Sequence, residues 1–464
     1  MELSSLEFRR SLHAGLGRAL RDVRSVPERE RREILLDACM HNRSYDPQLD
    51  SDRAAWLCEI LVEAGDLSEA ANRLLTPIPE DTKDWDHIQR VGLARELGRL
   101  GFQDAGPFVR REFQAHIQDR SDFIPISIAS DLVEVEGSDG LVEVSKGFGA
   151  RLDEFGRLDD RWDACDMLAE QAAEILGWTT VEKVLREAAS VDSAAAKFLE
   201  KAEARIARGS GNSPAFDPRK ETWGTYSFED VRARVEGSIP NDPHVPIALW
   251  GRSIATDGDL DKALSALATE TDPRRLQTWV LAFTLRRMPR FEPRFLELFD
   301  ATDPGLSWNA GRALEHVEHP ELRRRAIDQL RAGRCDGKTM KLLRSNFRME
   351  DVPVLERALP TGGDLHVHHA AASGICDIAK TRGPAGLRAL LDWAYENSGC
   401  SHCRNDAVRK LVEAGDARPS ILEECRFDSS QELREFARTT LAGSPNPGPS
   451  PASRARPASP PASP

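Results

Sequence analysis

The amino-acid sequence predicts an all-α protein, an α-solenoid of antiparallel helix pairs that ends in a disordered, proline-rich tail. Apolar residues recur at helical spacing through almost the whole chain, and a turn or polar capping residue opens each new stretch. In the C-terminal half these openings stand at Asp272, Asp303, Asp364, Ser401 and Asp428. Their spacing is roughly 27 to 37 residues, apart from one double step, which is typical of helix-pair repeats.

The N-terminal half shows short helices that end at glycine or proline. Residues 6–23 carry apolar side chains at helical spacing, and residues 53–64 repeat this pattern. Gly65 follows directly and suits a helix C-cap, because glycine adopts a positive φ without strain. Further helices are predicted over residues 67–75 and 86–100. Such a succession of short helices is typical of an all-α stack.

Residues 124–148 allow two secondary structures. Residues 132–136 and 141–144 alternate β-branched and polar side chains around the turn sequence Asp139-Gly140, as in a β-hairpin. The alternative is a pair of helices, each with its apolar residues on one face. We favour two helices because the neighbouring segments are helical.

Composition divides the chain into four segments. A helical domain over residues 1–208 precedes a flexible linker over 209–222, which contains a run of glycine and serine that ends in proline. HEAT-like pairing of helices is expected over 223–442, and it is most regular after Pro246. Residues 443–464 are mostly proline, serine, alanine, glycine and arginine. Such a segment cannot bury a core, so a disordered tail is expected.

The charge balance bears on possible partners and location. The 464 residues include 63 Lys and Arg against 76 Asp and Glu, which gives a net charge of −13. An acidic chain repels phosphate backbones, so nucleic-acid binding is not expected, and the basic runs at 29–32 and 323–325 are interpreted as solvated helix faces. No stretch approaches the ~18–20 apolar residues that span a bilayer. No signal peptide is recognised at the N-terminus, and a cytoplasmic location is expected.

Residues 404–411 and 430–437 share a pattern in which a polar or acidic cap and an arginine precede apolar residues at i+3 and i+4. A degenerate copy occupies residues 309–314. The pattern resembles HEAT and armadillo-like helical repeats, mainly in the C-terminal half. The resemblance implies a curved solenoid whose concave face binds protein partners, although a few such proteins bind DNA or modify cofactors. It carries over no catalytic residue, because a shared scaffold does not determine function.

Thiol and imidazole side chains concentrate near the end of the repeats, and zinc binds four such ligands tetrahedrally. Stacked helices lie about 10 Å apart, so residues at matching ends of successive first helices share one edge. Cys376 lies at the far end of its helix and is set aside for this reason. The hypothesis is a structural zinc site of three cysteines and one histidine, drawn from Cys400, Cys403, Cys425, His366, His369 and His402. The alternative is that these residues are small core positions and polar positions on a helix face.

Two other kinds of chemistry were weighed. The CxxC of Cys400 and Cys403 is a candidate for redox chemistry if the N-terminus of a helix lowers the pKa of one thiol. Such redox motifs normally follow a strand in a βαβ unit, however, and no βαβ unit is predicted here. Residues 41–48 form a polar loop that either binds a ligand or satisfies backbone groups between two helices. The sequence lacks a Walker-type loop, a GxGxxG after a strand, a GxSxG and an HExxH.

We therefore expect a non-enzymatic scaffold that binds a protein partner and requires no cofactor other than the hypothesised zinc. The alternatives are an enzyme or cofactor-handling protein on the same scaffold, and a nucleic-acid binder of the HEAT type. Tryptophans at helical positions are expected mostly in the core, although one or two on a concave surface would anchor a partner. These are Trp162, Trp178, Trp250, Trp279, Trp308 and Trp393.

Overall fold

The computed structural model describes residues 3–47, 53–79, 81–118, 126–155, 164–209, 226–237, 247–362 and 365–443. Within these ranges the regular structure is helical and contains no β-strand, which confirms the all-α class. The helices up to residue 209 are α1 (Ser5–Ala14), α2 (Arg18–Arg21), α3 (Glu28–Met40), α4 (Arg53–Ala64), α5 (Leu67–Leu74), α6 (Asp84–Arg99), α7 (Ala105–Gln118), α8 (Ile126–Glu136), α9 (Ser138–Phe155), α10 (Ala164–Leu176), α11 (Trp178–Ala189) and α12 (Ser193–Gly209).

The later helices are α13 (Phe228–Val235), α14 (Ile247–Ser253), α15 (Asp257–Thr269), α16 (Pro273–Leu281), α17 (Arg294–Phe299), α18 (Pro304–Leu314), α19 (Pro320–Arg331), α20 (Gly337–Arg344), α21 (Val352–Ala358), α22 (Leu365–Arg382), α23 (Arg388–Asn397), α24 (Ser401–Glu413), α25 (Pro419–Cys425) and α26 (Gln431–Leu441). Short 3-10 helices cover Val23–Ser25 and Met349–Asp351.

Several C-terminal helices begin at the capping residues that the sequence indicates. Asp272 and Asp303 accept hydrogen bonds from backbone N–H groups in the first turns of α16 and α18, and each precedes a proline at the first helical position. The double step in the repeat spacing contains a further unit, α20, whose N-cap is Asp336. Capped helix starts in this region are therefore spaced more evenly than the five sequence openings suggested.

The remaining openings differ in detail. Asp364 lies outside the described residues, and α24 begins at Ser401 as expected. Asp428 does not cap α26, because Ser430 is the N-cap of that helix. Asp428 instead is fully buried and accepts the Ser430 N–H at 3.0 Å. Its carboxylate takes part in the contact of this segment with α24 and the N-terminal helices.

Two predictions in the N-terminal half have different outcomes. Residues 6–23 do not form one helix, because the chain turns at Gly15, whose φ of 78° ends α1 before α2 begins. The helical interpretation of 124–148 is confirmed over its described part, which lies in α8 and α9. Gly137, with a φ of 62°, makes the turn between these two helices. The β-branched residues of this segment thus follow their helical neighbours rather than their own strand propensity.

Alternate helices pack on one another from α14 onward. The set α14, α16, α18, α20, α22 and α24 is joined by contacts between each member and the next. Among the intervening helices, α19 contacts α21 and α21 contacts α23. One apolar core extends along these helices from Phe228 to Ala437. The helices of this set therefore bury apolar surface against the member two positions earlier in the chain.

The N-terminal helices contact the C-terminal end of this series. Phe427 packs against the apolar core of α1–α6, whereas Leu16 belongs to the C-terminal core. The indole N–H of Trp56 donates to the carbonyl oxygen of Phe427 at 2.8 Å, and the Ser429 N–H donates to that of Gly15 at 2.9 Å. A third core extends from α6 to α12. The first helices of the chain thus connect the last repeats with α7–α12.

A fully buried ion pair of Arg404 and Asp428 lies at this junction. The Arg404 Nη2 and Nε atoms lie 2.9 and 3.2 Å from the two carboxylate oxygens of Asp428, and neither side chain is exposed. Arg404 also donates to the carbonyl oxygens of Ala14 and Gly15. A buried ion pair is favourable only when its other polar atoms find partners. Here the carbonyl oxygens at the end of α1 are the additional partners of Arg404.

Two of the predicted segments lie outside the description. Residues 210–225 contain nearly all of the predicted linker, and residues 444–464 contain nearly all of the predicted tail; neither range belongs to the described residues. The predicted segments 1–208 and 223–442 are joined by the contacts of α1–α4 with α23–α26, such as the ion pair of Arg18 with Glu424 at 2.9 Å. None of the helices in the described part of the chain is long and apolar enough to cross a membrane.

We expect the stability of the fold to decrease in mild acid because of His13 in α1. Burial, together with nearby Arg53, lowers the pKa of His13 from 6.5 to about 4. The unfolded chain therefore binds a proton that the folded chain excludes, and stability is lost as the pH falls from 6.5 toward 4. The unfolding free energy should therefore change less between pH 7 and pH 5 in His13→Gln than in the wild type. With allowance for solvent screening, we expect this change to be smaller by about 1 kcal/mol.

Urea denaturation of the two proteins at both pH values measures this effect. The matched control is His402→Gln, because His402 is exposed on the surface of α24. An unchanged pH dependence in His13→Gln, relative to this control, would contradict the assignment.

Candidate metal centre

The CxxC lies at the start of α24. Cys400 is the N-cap of the helix and Cys403 belongs to its first turn, so the two side chains lie on one helix face. The Cys400 N–H donates to the Ser398 hydroxyl at 3.2 Å, which helps to fix the entry into the helix. Both cysteines are buried, whereas His402 is exposed. His402 does not join the cysteines because its position in the helix directs it to another face.

His369 of α22 completes a cluster with the two thiols. Its Nδ1 atom lies 3.6 Å from the Cys403 Sγ atom. The ligand atoms of His369, Cys400 and Cys403 all lie within 4.8 Å of one another. In the part of the chain that the structure describes, no other group of three His, Cys, Asp or Glu side chains meets this criterion. The cluster forms because α22 and α24 are neighbours in the set of alternate helices.

The two thiols have opposite electrostatic properties. The Cys403 thiol donates a hydrogen bond to the Cys400 sulfur, and this contact, with further help from His369, holds the pKa of Cys400 well below its usual range. The same hydrogen bond and burial raise the pKa of Cys403. Of the two thiols, Cys400 is therefore the one that loses its proton more readily. Two cysteine sulfurs and an imidazole are the kind of donor set that soft and borderline metals prefer.

Tyr45 covers the histidine of the cluster. Its ring stacks on that of His369, with centroids 4.5 Å apart and planes inclined by 21°. Its hydroxyl group lies 3.2 Å from the Nδ1 atom of the exposed His366. Tyr45 also approaches Gly399 closely, since a Cβ atom at that position would lie 3.0 Å from the Tyr45 Cβ. The N-terminal polar loop thus contacts the candidate site, a contact that sequence spacing does not indicate.

Other side chains of this loop bond within the protein. The Asn42 side-chain oxygen accepts the Ser44 N–H at 3.0 Å, and the Asn42 N–H donates to Asp86 at 2.6 Å. These bonds are of the kind that satisfies backbone groups between helices. Residues 48–52, which include Gln48 at the end of the predicted loop, lie outside the described residues.

Cys425 does not join the cluster. It is the last residue of α25 and is fully buried near Tyr395, whose hydroxyl group donates a hydrogen bond to the adjacent Glu424 at 2.9 Å. Burial raises the pKa of Cys425. The sequence placed Cys425 on the same edge as the CxxC, but its side chain instead packs toward α23, which carries Tyr395. The position of Cys425 just before the first helix of a predicted pair therefore did not determine which neighbouring helix its side chain contacts.

Cys376, by contrast, lies close to the cluster. Its Sγ atom is 3.6 Å from the Cys403 carbonyl oxygen. Cys376 is nevertheless not a member of the group of converging ligand atoms. It lies near because it follows His369 by two turns on the same face of α22, and α24 packs against α22. The interval of seven residues between the two was the sequence signal for this proximity.

The comparisons with known proteins give no further guide to the site. No protein-family model, curated protein or solved structure gives a significant match to the chain.

Proposed function

We propose that this protein is a non-enzymatic helical-repeat scaffold that binds a protein partner. The proposal treats the alternate packing of α14–α24 as a solenoid of antiparallel helix pairs, similar to HEAT and armadillo-like repeats. Such stacks present a continuous row of helices on one side, and this surface suits an extended partner. The observation that carries the proposal is the exposed indole of Trp308 on one of these helices.

Trp308 is unusual among the tryptophans of the described repeats. Trp250 and Trp279 are 0% and 2% exposed, whereas Trp308 is 49% exposed. Its ring lies beside Gly337, where a Cβ atom would lie 3.7 Å from the indole and 3.6 Å from the Cβ atom of Ala370. Gly337 therefore places no side chain against the indole. Tryptophan in such a setting is enriched among residues that dominate binding energies at interfaces.

The two lysines beside the indole differ in what they indicate about the charge of the partner. The Nζ atom of Lys341 lies 4.4 Å from the centroid of the Trp308 ring, but it also pairs with the Glu315 carboxylate at 3.0 Å, so its charge is balanced within the chain. Lys338 bonds to the Ser307 hydroxyl and, among the described residues, makes no ion pair with a carboxylate. We define the Trp308 surface as Trp308, Gly337, Lys338, Lys341 and Ala370. It suits a segment that combines an apolar side chain with carboxylates.

Nucleic-acid binding finds less support. The arginines of the two basic runs each contact carboxylates of this chain: Arg32 pairs with Asp66 at 3.1 Å, and Arg323 contacts both oxygens of Asp351. The remaining arginines of these runs also pair with acidic side chains. Because their charge is already balanced, they do not form the unneutralised groove that a phosphate backbone requires. The basic runs are thus internal ion-pair partners on helix faces.

An enzymatic role also finds less support. Cys400 and Cys403 are 3% and 6% exposed, so a substrate has little access to either sulfur. The cleft between the N-terminal helices and the last repeats has a volume of about 610 Å³. Its lining includes Val62, Leu100 and Phe427 but no member of the His369, Cys400 and Cys403 cluster. This cleft therefore gives a substrate no access to the two thiols.

Affinity capture from extract of the native cells tests the proposal, with the wild-type chain compared to Trp308→Ala. We expect the wild type to recover a specific protein whose binding survives nuclease treatment. Loss of the indole should weaken that binding at least about tenfold, because a buried interface tryptophan commonly contributes 2 kcal/mol or more. Peptide arrays of the recovered protein should then locate an acidic segment with an apolar residue.

The matched control is Val191→Ala, which removes another apolar side chain that is 84% exposed, outside the repeats. It should leave binding unchanged. Two results would count against this proposal: a protein that Trp308→Ala recovers as well as the wild type does, and a protein whose recovery is abolished by nuclease.

A further inference from the structure

The cluster at the start of α24 differs from the other cysteines of the chain. Cys39, Cys58, Cys165 and Cys335 are buried in helices or turns, as small apolar side chains usually are, and among the described residues none of them belongs to a group of three converging ligand atoms. Cys400 and Cys403 instead share their surroundings with the imidazole of His369, and the three ligand atoms converge within 4.8 Å. Two helices contribute to this group, so a chance pairing along one helix does not explain it.

We propose that His369, Cys400 and Cys403 bind one zinc ion. Zinc–sulfur bonds of about 2.3 Å and zinc–nitrogen bonds of about 2.0–2.1 Å at tetrahedral angles require a sulfur-to-nitrogen separation of about 3.6 Å. The observed separation of Cys403 Sγ from His369 Nδ1 is 3.6 Å. The ligand atoms therefore need little rearrangement to receive the ion.

Two thiolates and an imidazole fill three of the four positions that zinc prefers. The fourth is left for a water molecule or another donor. Cys425 does not supply it, since its sulfur is not among the ligand atoms that converge here. This three-residue set therefore replaces the four-ligand hypothesis drawn from the sequence.

The ion would connect parts of the chain that are distant in sequence. It would link α22 to α24, two neighbours in the set of alternate helices. It would also fix the ring of His369, against which Tyr45 of the N-terminal loop stacks. Zinc at this place thus stabilises both the repeat series and its contact with the N-terminal helices. This role does not depend on the binding of a partner at the Trp308 surface.

Elemental analysis of the full chain, purified without chelators, tests the proposal. We expect stoichiometric zinc in the wild type and in the matched variants Cys425→Ser and Cys376→Ser. We expect H369Q, C400S and C403S to lose it, with zinc affinity lowered by more than the ~10–100-fold that loss of an outer-shell partner causes. His369 is only half-buried, so H369Q is the variant most suited to retain the fold.

Cobalt substitution of the wild type gives a readout that does not depend on any variant. Binding of Co²⁺ to the apoprotein should produce a thiolate-to-metal charge-transfer band and the intense visible bands of a tetrahedral site. Added Zn²⁺ should abolish both bands and raise the melting temperature. Two results would overturn the proposal: a native protein whose thiols titrate freely without bound metal, and a Cys400–Cys403 disulfide in protein isolated without oxidant.

Discussion

Replacing Arg404 with methionine is expected to lower the free energy of unfolding by about 3–5 kcal/mol, because the change leaves the Asp428 carboxylate buried without a counter-ion. Arg404 and Asp428 are both 0% exposed, so solvent does not reach the charge. The variant also leaves the carbonyl oxygens of Ala14 and Gly15 without their arginine donor. Chemical denaturation of the full chain measures the loss. Hydrogen exchange should show faster exchange in α1 and α26 than in α7–α12.

The matched control for Arg404 lies on the same helix. Arg409 pairs with Glu432 at 3.0 Å, but its side chain is 31% and that of its partner 43% exposed. Surface pairs of this kind contribute about 0–1 kcal/mol, so Arg409→Met should have a small effect. The double variant Arg404→Met with Asp428→Asn should recover part of the loss, since it removes the unpaired charge. Equal losses in the Arg404 and Arg409 variants would contradict the importance of burial.

Replacing Gly17 with alanine is the second change for which we expect a large effect, a loss of about 1–3 kcal/mol in unfolding free energy. The backbone at Gly17 has a φ of −56°, which any residue adopts, so the conformation is not the obstacle. The obstacle is space, because a Cβ atom would lie 1.9 Å from the Glu424 carbonyl oxygen. The methyl group would therefore separate α2 from the end of α25, and the Arg18–Glu424 ion pair would be weakened.

Gly258→Ala provides the comparison for this variant. Gly258 lies in the first turn of α15, and the nearest atom to a Cβ there is the Thr256 hydroxyl oxygen at 3.8 Å. Alanine should leave stability unchanged or increase it by up to about 1 kcal/mol, because it has the higher helix propensity. Thermal or chemical denaturation of the two variants measures the difference. Similar stabilities would show that the contact between α2 and α25 is not close-packed in solution.

The candidate site shows which inferences the repeat pattern supports. Cys400 and Cys403 were recognisable as a pair because a CxxC at a helix start places both thiols on one face. His369 was one of three possible histidines, and its selection required the actual packing of α22 against α24. Cys425 does not belong to the cluster, and Cys376 lies closer to it than expected. The position of a residue along the edge of a helical stack does not specify the direction of its side chain. Tyr45 was found only through the contact between distant parts of the chain.

The all-α class, the capped helix starts at Asp272 and Asp303, and the CxxC follow from local information. Helix capping and apolar periodicity depend on residues within a few positions of one another, so they are readable in the chain itself. The contact of α1–α4 with the last repeats was decided only by tertiary structure. The partners of Arg404 at the end of α1 are separated from it by hundreds of positions, as with the 389 residues to Gly15. No local pattern encodes such a pairing, because it depends on how all the intervening helices pack.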